Sequence, residues 1–468
     1  VYDFLLAASL IVFALVVSAY ARHRAASLMH PATVYLAFHG LIFVFRPIVA
    51  RLYDFDFIYR LYNFQPSMDD KITVILGANL ALLTFVLVSL RVASEPVAQI
   101  AADEIRGVRA RLTKPIAIVA AVIAPLAITS QIGNWRRRVN EFDTMMTDAA
   151  TGVQFNVDGN GWFTDSALML APLVIMALWL SRYRLWGWAI FGAFVVLQSG
   201  SGGRAPLIYT VVAIGVLFLL ERGRRWFDWR GVVLAVFALV AFNQIVMDRG
   251  AAVRDLVGSD AGDTYITDRQ LDPLEGMDFA NLEYFEYIVY AVPQRTGTWD
   301  YFASNLQLFT EPIPRALWPD KPKGSPVQFF QLWNYGTPTG MTASVPGMGW
   351  MSLGYIGIII QASVFALIYA SAYNWLLIRR RSAAAWIGYA LIIATSVTVL
   401  RDGSLLTLAR LSPFYVGPLL MVLVLARFSG PRMAFGTEGD EALPGNEFLA
   451  LTPAERRRSL AAQAADQR

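Results

Sequence analysis

The chain has no cysteine and only three histidines in 468 residues. The first absence excludes a disulfide framework, a thiol nucleophile and a cysteine metal site. The histidines are His23, His30 and His39. None falls in a segment assigned to an outer loop, and their spacing supports neither a metal site nor a Ser-His-Asp arrangement. Charge is also scarce, at 16% of residues, and the net value of +4 is spread over many loops. That pattern excludes a basic tract of the kind that binds nucleic acid. There is no fixed-period repeat, no matched pair of interrupted helices as in many transporters, and no Gly-Lys-Ser/Thr phosphate loop.

What remains is apolar. Hydrophobic residues make up 56% of the chain and the mean hydropathy is +0.47, which places it with all-α polytopic membrane proteins. The requirement of roughly 20 apolar residues per span yields about eleven transmembrane helices. They fall near residues 2–20, 31–50, 72–90, 115–132, 162–180, 185–198, 205–220, 231–248, 354–377, 384–400 and 411–426, the sixth being the shortest. The first lacks a basic leader and a small-residue cleavage pattern, so it reads as an uncleaved helix.

Arginines in short loops set the orientation. Arg22 and Arg24, Arg106 with Arg109 and Arg111, Arg182 with Arg184, Arg222 with Arg224 and Arg225, and Arg379 to Arg381 fall in alternate loops, which are therefore cytoplasmic. This divides the chain into an N-terminal transmembrane bundle (1–248), one large outer loop (249–353), C-terminal transmembrane helices (354–426) and a mostly disordered cytoplasmic tail (427–468).

Some arginines break the charge rule by sitting near outer helix ends: Arg46, Arg51, Arg136 to Arg138, Arg204, Arg249, Arg254, Arg401 and Arg410. Singly, each is accounted for by snorkelling or by pairing with neighbours such as Asp248 and Asp402. As a set they suit an anion site, because guanidinium groups grip phosphate bidentately and keep their charge. Ser199-Gly-Ser-Gly-Gly-Arg204 precedes a helix opened by Pro206 and reads either as a tight hairpin or as part of that site.

A loop of about a hundred residues is long enough to suggest function. Between Leu274 and Val292 apolar residues recur at helical spacing, with Glu275, Glu283 and Glu286 on a neighbouring arc. That predicts an amphipathic helix lying on the membrane or roofing the bundle, its acids facing solvent or supplying a base. Five prolines from Pro312 to Pro326 then fix a turning path around Trp318. Trp318, Trp333 and Tyr335 suit either sugar stacking or packing. His39, alone inside the second span, is expected to be a hydrogen-bonded helix contact.

Pro314-Arg-Ala-Leu-Trp-Pro-Asp-Lys-Pro322, the glycine-rich return Pro346-Gly-Met-Gly-Trp-Met-Ser-Leu-Gly-Tyr-Ile-Gly357 and the Ser199 to Arg204 run together resemble the oligosaccharide repeat-unit polymerases, the Wzy-type O-antigen polymerases. The resemblance implies a bacterial inner-membrane glycosyltransferase with its active site facing the periplasm, needing no metal, cofactor or nucleotide sugar. It would move a growing glycan from undecaprenyl diphosphate to the distal sugar of a new lipid-linked repeat unit, alongside a chain-length regulator and a flippase. Arg204, Arg249, Arg315 and Arg401, with Arg136 and Arg410, would then hold the diphosphate. Because an acceptor hydroxyl needs a proton acceptor and the outer loops lack histidine, Glu283, Glu286 and Glu311 are the candidate bases. The alternatives are an O-antigen ligase, expected to use a loop histidine that is missing here, and a lipid-linked glycan flippase, which calls for polar residues at mid-membrane.

Overall fold

Long apolar runs with well-placed stop signals fold here as helices. The computed structural model describes residues 1–97, 102–139, 145–147, 154–156, 161–199, 205–231, 233, 280–310, 313, 318, 342–379 and 382–428. Helix α1 is Tyr2–Ala21. α2, Pro31–His39, runs through a π-helical segment, Gly40–Phe45, into α3, Arg46–Leu52. α4 is the short Phe57–Tyr62. α5, Met68–Val92, opens on a capping box in which Ser67 and Asp70 satisfy each other's backbone N–H. α6 is Ala102–Val139, followed by a two-stranded antiparallel ladder, Met145–Thr147 with Gln154–Asn156. α7 (Gly161–Asp165) continues through a 3-10 turn, Ser166–Met169, into α8 (Leu170–Leu180). α9 is Leu185–Ser199 and α10 is Ala205–Arg222. After them come α11 (Asn281–Ala291), α12 (Ala303–Thr310), α13 (Ser344–Ile378), α14 (Ala383–Asp402) and α15 (Leu405–Phe428).

Among the described residues nine helices are long and apolar enough to cross a membrane. They match nine of the eleven expected segments. α9, with 15 residues, rises only about 22 Å, short of a hydrocarbon core of about 30 Å. The expected span at 231–248, most of the large loop and the tail lie outside the described residues. Residues Val1–Leu423 form one compact unit, and Val424–Arg468 form a second, of which only the end of α15 is described.

Contacts sort the helix ends into two sets. Arg410 meets Asp165, the Asn281 amide meets the Arg401 carbonyl, and Ser130 meets the carbonyls of Phe163 and Thr164. At the opposite ends Arg24 meets Glu95, Arg109 meets Glu221, and Asn374 meets the Val92 carbonyl. These are the two sets that the alternation of arginines assigns to opposite sides.

α5 and α13 form the centre, and α13 is broken. Leu353 and Gly354 leave helical geometry, and Gly354 has φ +58°, which glycine adopts without steric penalty. Residues eight apart in a continuous helix lie about 12 Å apart along its axis. Here a Cβ on Gly357 would lie 2.0 Å from the Gly349 carbonyl oxygen, so the limb 344–352 turns back against the limb 355–378. The sequence-expected span at 354–377 is the second limb, and the glycines serve close packing of the first. Gly357→Ala is expected to destabilise the protein by about 1–3 kcal/mol through overpacking. Gly192→Ala, where a Cβ meets nothing within 4 Å, is expected to be near neutral. Thermal unfolding midpoints in detergent check both.

Candidate active site

α11 brings two carboxylates into the bundle. Its sequence is Asn-Leu-Glu-Tyr-Phe-Glu-Tyr-Ile-Val-Tyr-Ala, and every residue except Tyr290 is buried. Phe285 and Ile288 pack where Gly77 of α5 and Gly347 of α13 leave room, and the Trp350 indole donates to the Val292 carbonyl at 2.9 Å. The helix expected from Leu274 to Val292 is described from Asn281 only. Its described acids, Glu283 and Glu286, do not face solvent, and each has a partner; Glu275 lies outside the described residues.

Glu283 is paired with Arg46. Nε and Nη2 of the arginine both donate to Oε1, at 2.9 and 2.6 Å, and the two side chains are 3% and 2% exposed. Glu283 Oε2 has no hydrogen-bond partner among the described residues. The arginine reaches inward because of the π-helical segment that precedes it. Pro47 has no N–H to close a regular bond to the Phe43 carbonyl. One extra residue in the turn rotates the succeeding helix by about 100°. Gly40, where a Cβ would meet the Phe13 ring at 2.6 Å, lets α1 close against this bulge.

Glu286 lies nearly one turn further along α11. Its Oε2 accepts from the Tyr59 hydroxyl, and the Lys71 ammonium stands 4.6 Å from the centre of the Tyr59 ring. Burial pushes the Glu286 carboxyl up to about 7; Lys71 pulls against this, Glu283 adds to it, and the Tyr59 hydrogen bond and Arg46 oppose it. Tyr59 and Lys71 are only half-buried, so the carboxyl sits one side chain below the surface. A carboxyl tuned to neutrality can take a proton from a substrate and give it up again.

Arg401 is tied to the same helix. The Asn281 amide donates to the Arg401 carbonyl at 2.9 Å and to the Thr342 carbonyl at 2.8 Å, locking α11 to the end of α14. The Arg401 guanidinium is 39% exposed, with Nε 3.9 Å from Asp402 Oδ1. Arg410 is already engaged: its Nε and Nη2 form a fork on Asp165 at 2.7 and 2.9 Å. Arg136 falls in the last turn of α6, and its side chain is not among those described. Trp318 is 37% exposed. Arg204, Arg249, Arg315, Glu311, Trp333 and Tyr335 lie outside the described residues.

Of the residues picked from sequence, the fold therefore brings Glu283 and Glu286 together, with Lys71 and Arg46 as the cations that bear on Glu286; Arg401 touches the same helix only through its backbone carbonyl. Nothing in the sequence pattern singles out Tyr59 or Lys71, and Arg46 stands there only as one outer arginine among several. His39 departs from expectation: it is buried against Phe13, Tyr35 and Phe43, and neither ring nitrogen has a hydrogen-bond partner among the described residues.

A bundle with nine helices long and apolar enough to cross a membrane among the described residues is a multi-pass helical membrane protein. No protein-family model, curated protein or solved structure matches the chain.

Proposed function

We propose that this protein is an inner-membrane glycosyltransferase that polymerises oligosaccharide repeat units carried on undecaprenyl diphosphate, working on the periplasmic side. The observation that carries the reading is Glu286, a buried carboxyl pushed up to about 7, hydrogen-bonded to Tyr59 one side chain below the surface. Glycosyl transfer to a sugar hydroxyl needs a base of that kind.

In the proposed step the acceptor hydroxyl oxygen attacks the anomeric carbon of the growing glycan. Its proton passes to Glu286 as the bond from that carbon to the diphosphate oxygen breaks, and the lipid diphosphate leaves. Glu283, held by Arg46, positions Glu286 and adds to its proton affinity. The leaving diphosphate gathers charge, which cations at the same end would offset. Among the outer arginines Arg401, partly exposed at the end of α14, is assigned this role, with Arg204, Arg249, Arg315 and Arg136 as further ligands; the cations that bear on Glu286 itself are Lys71 and Arg46. Arg410 joins only by exchanging Asp165 for phosphate. Trp318, Trp333 and Tyr335 supply faces for sugar rings.

The direct test is a polysaccharide gel from a deletion strain. Single-unit product is expected. Polymer accumulating on its carrier would instead assign the protein as a ligase, and units trapped on the cytoplasmic face would assign it as a flippase. In the complemented strain Arg204→Lys keeps the charge but loses the bidentate fork, so polymer is expected to shorten at equal protein level. Unchanged polymer removes Arg204 from the site.

A further inference from the structure

The end of the bundle opposite the candidate site carries a cavity of about 170 Å³. It is walled by three short stretches: Ala25, Ser27 and Met29 between α1 and α2, Pro96 and Val97 after α5, and the end of α10 with the turn beyond it. Among its described lining residues the charged ones are Arg224 and Arg225, and none of those described is acidic. The turn places both residues at the cavity wall. Gly223 takes φ +60° and its N–H bonds the Leu220 carbonyl at 3.2 Å, while Arg224 N–H bonds the Leu219 carbonyl at 3.0 Å. This glycine stop reverses the chain at the helix end. The Arg225 carbonyl then accepts from Leu28 N–H at 3.0 Å, which fixes the opposite wall.

The depth of the cavity is also marked. It opens where the span Ala205–Arg222 ends, and the exposed Trp226 and Trp229 come directly after. Tryptophans just beyond a span sit at headgroup level. Among the described acids nearby, Glu95 pairs with Arg24 and Glu221 with Arg109, and Asp228 accepts a long, 3.4 Å hydrogen bond from Arg224 between exposed side chains, a weak pair that a phosphate can displace.

We propose that this cavity binds a phosphate group carried by an anionic lipid headgroup. Basic pockets between helices at the membrane surface take such groups, and a guanidinium pair grips phosphate oxygens. The inference is independent of the proposed glycosyl transfer, because the cavity lies at the other end of the molecule.

The full chain in detergent, titrated with short-chain phosphatidylglycerol, short-chain phosphatidylcholine and inorganic phosphate in parallel, tests it by native mass spectrometry. One phosphatidylglycerol per chain is expected, bound in preference to phosphatidylcholine. Binding of inorganic phosphate as tight as that of phosphatidylglycerol would keep the phosphate site but make its source soluble. Two basic residues near an anionic surface are together worth about thirtyfold in affinity. Arg224→Gln with Arg225→Gln is expected to lose about that much, and Val97→Trp, which fills the cavity without changing charge, is expected to lose binding as well. Arg182→Gln with Arg184→Gln, at the same end but outside the cavity, is expected to change little. Equal loss in that control pair, unaltered binding in Val97→Trp, or no binding of phosphatidylglycerol or phosphate by the parent chain overturns the proposal.

Discussion

Replacing Glu286 with glutamine is expected to lower the rate of glycan polymerisation about a hundredfold or more, the usual contribution of a positioned general base. The measurement is turnover of lipid-linked repeat units by purified protein across pH. In the parent the rate is expected to rise with pH and level off above about 7, where Glu286 gives up its proton. In Glu286→Gln that limb disappears. Stability moves the other way, which separates chemistry from folding. The folded carboxyl holds its proton up to about 7, against an ordinary value of 4.5. Between those values the folded state binds more protons than the unfolded chain, so the Glu286 contribution to stability falls as pH rises. The neutral amide removes that loss. Glu286→Gln is therefore expected to unfold no earlier than the parent at pH 8 while being nearly inactive. Parent-like turnover in the variant would take Glu286 out of the mechanism.

The spans were legible because a continuous apolar run has few ways to fold besides a helix. Even the break in α13 was marked, since the run expected to cross began at Gly354, where the backbone turns. The fate of α11 was not legible. Glutamates on an arc beside apolar residues carry the same period whether the arc faces water or a buried partner, and the partner of Glu283 lies 237 positions away. Nor does hydropathy report the π-helical segment before Arg46, which depends on Pro47 and on Phe13 closing over Gly40. Sequence could thus nominate Glu283 and Glu286 as acids worth testing. Dividing the roles between them took the three-dimensional pairing: one held by an arginine, the other left with a phenol and tuned to neutrality.

That division makes a second prediction, with the largest effect on stability. Arg46→Met is expected to destabilise the protein by about 3–5 kcal/mol, because it leaves the Glu283 carboxylate buried without its partner. The remedy is to remove the acid too. Arg46→Met with Glu283→Leu replaces a buried ion pair by apolar side chains, an exchange that is often neutral or stabilising. Most of the loss should therefore be recovered, which a double-mutant cycle on thermal unfolding in detergent measures directly. Activity separates the two acids again. The double variant keeps Glu286 and Tyr59 but loses both the Glu283 charge that adds to the proton affinity of Glu286 and the smaller opposing influence of Arg46, so it should retain turnover with its pH limb moved to lower pH. A double variant as unstable as Arg46→Met alone would show that the pair does more than satisfy itself. One that is stable but inactive would move Glu283 from a positioning role into the chemistry.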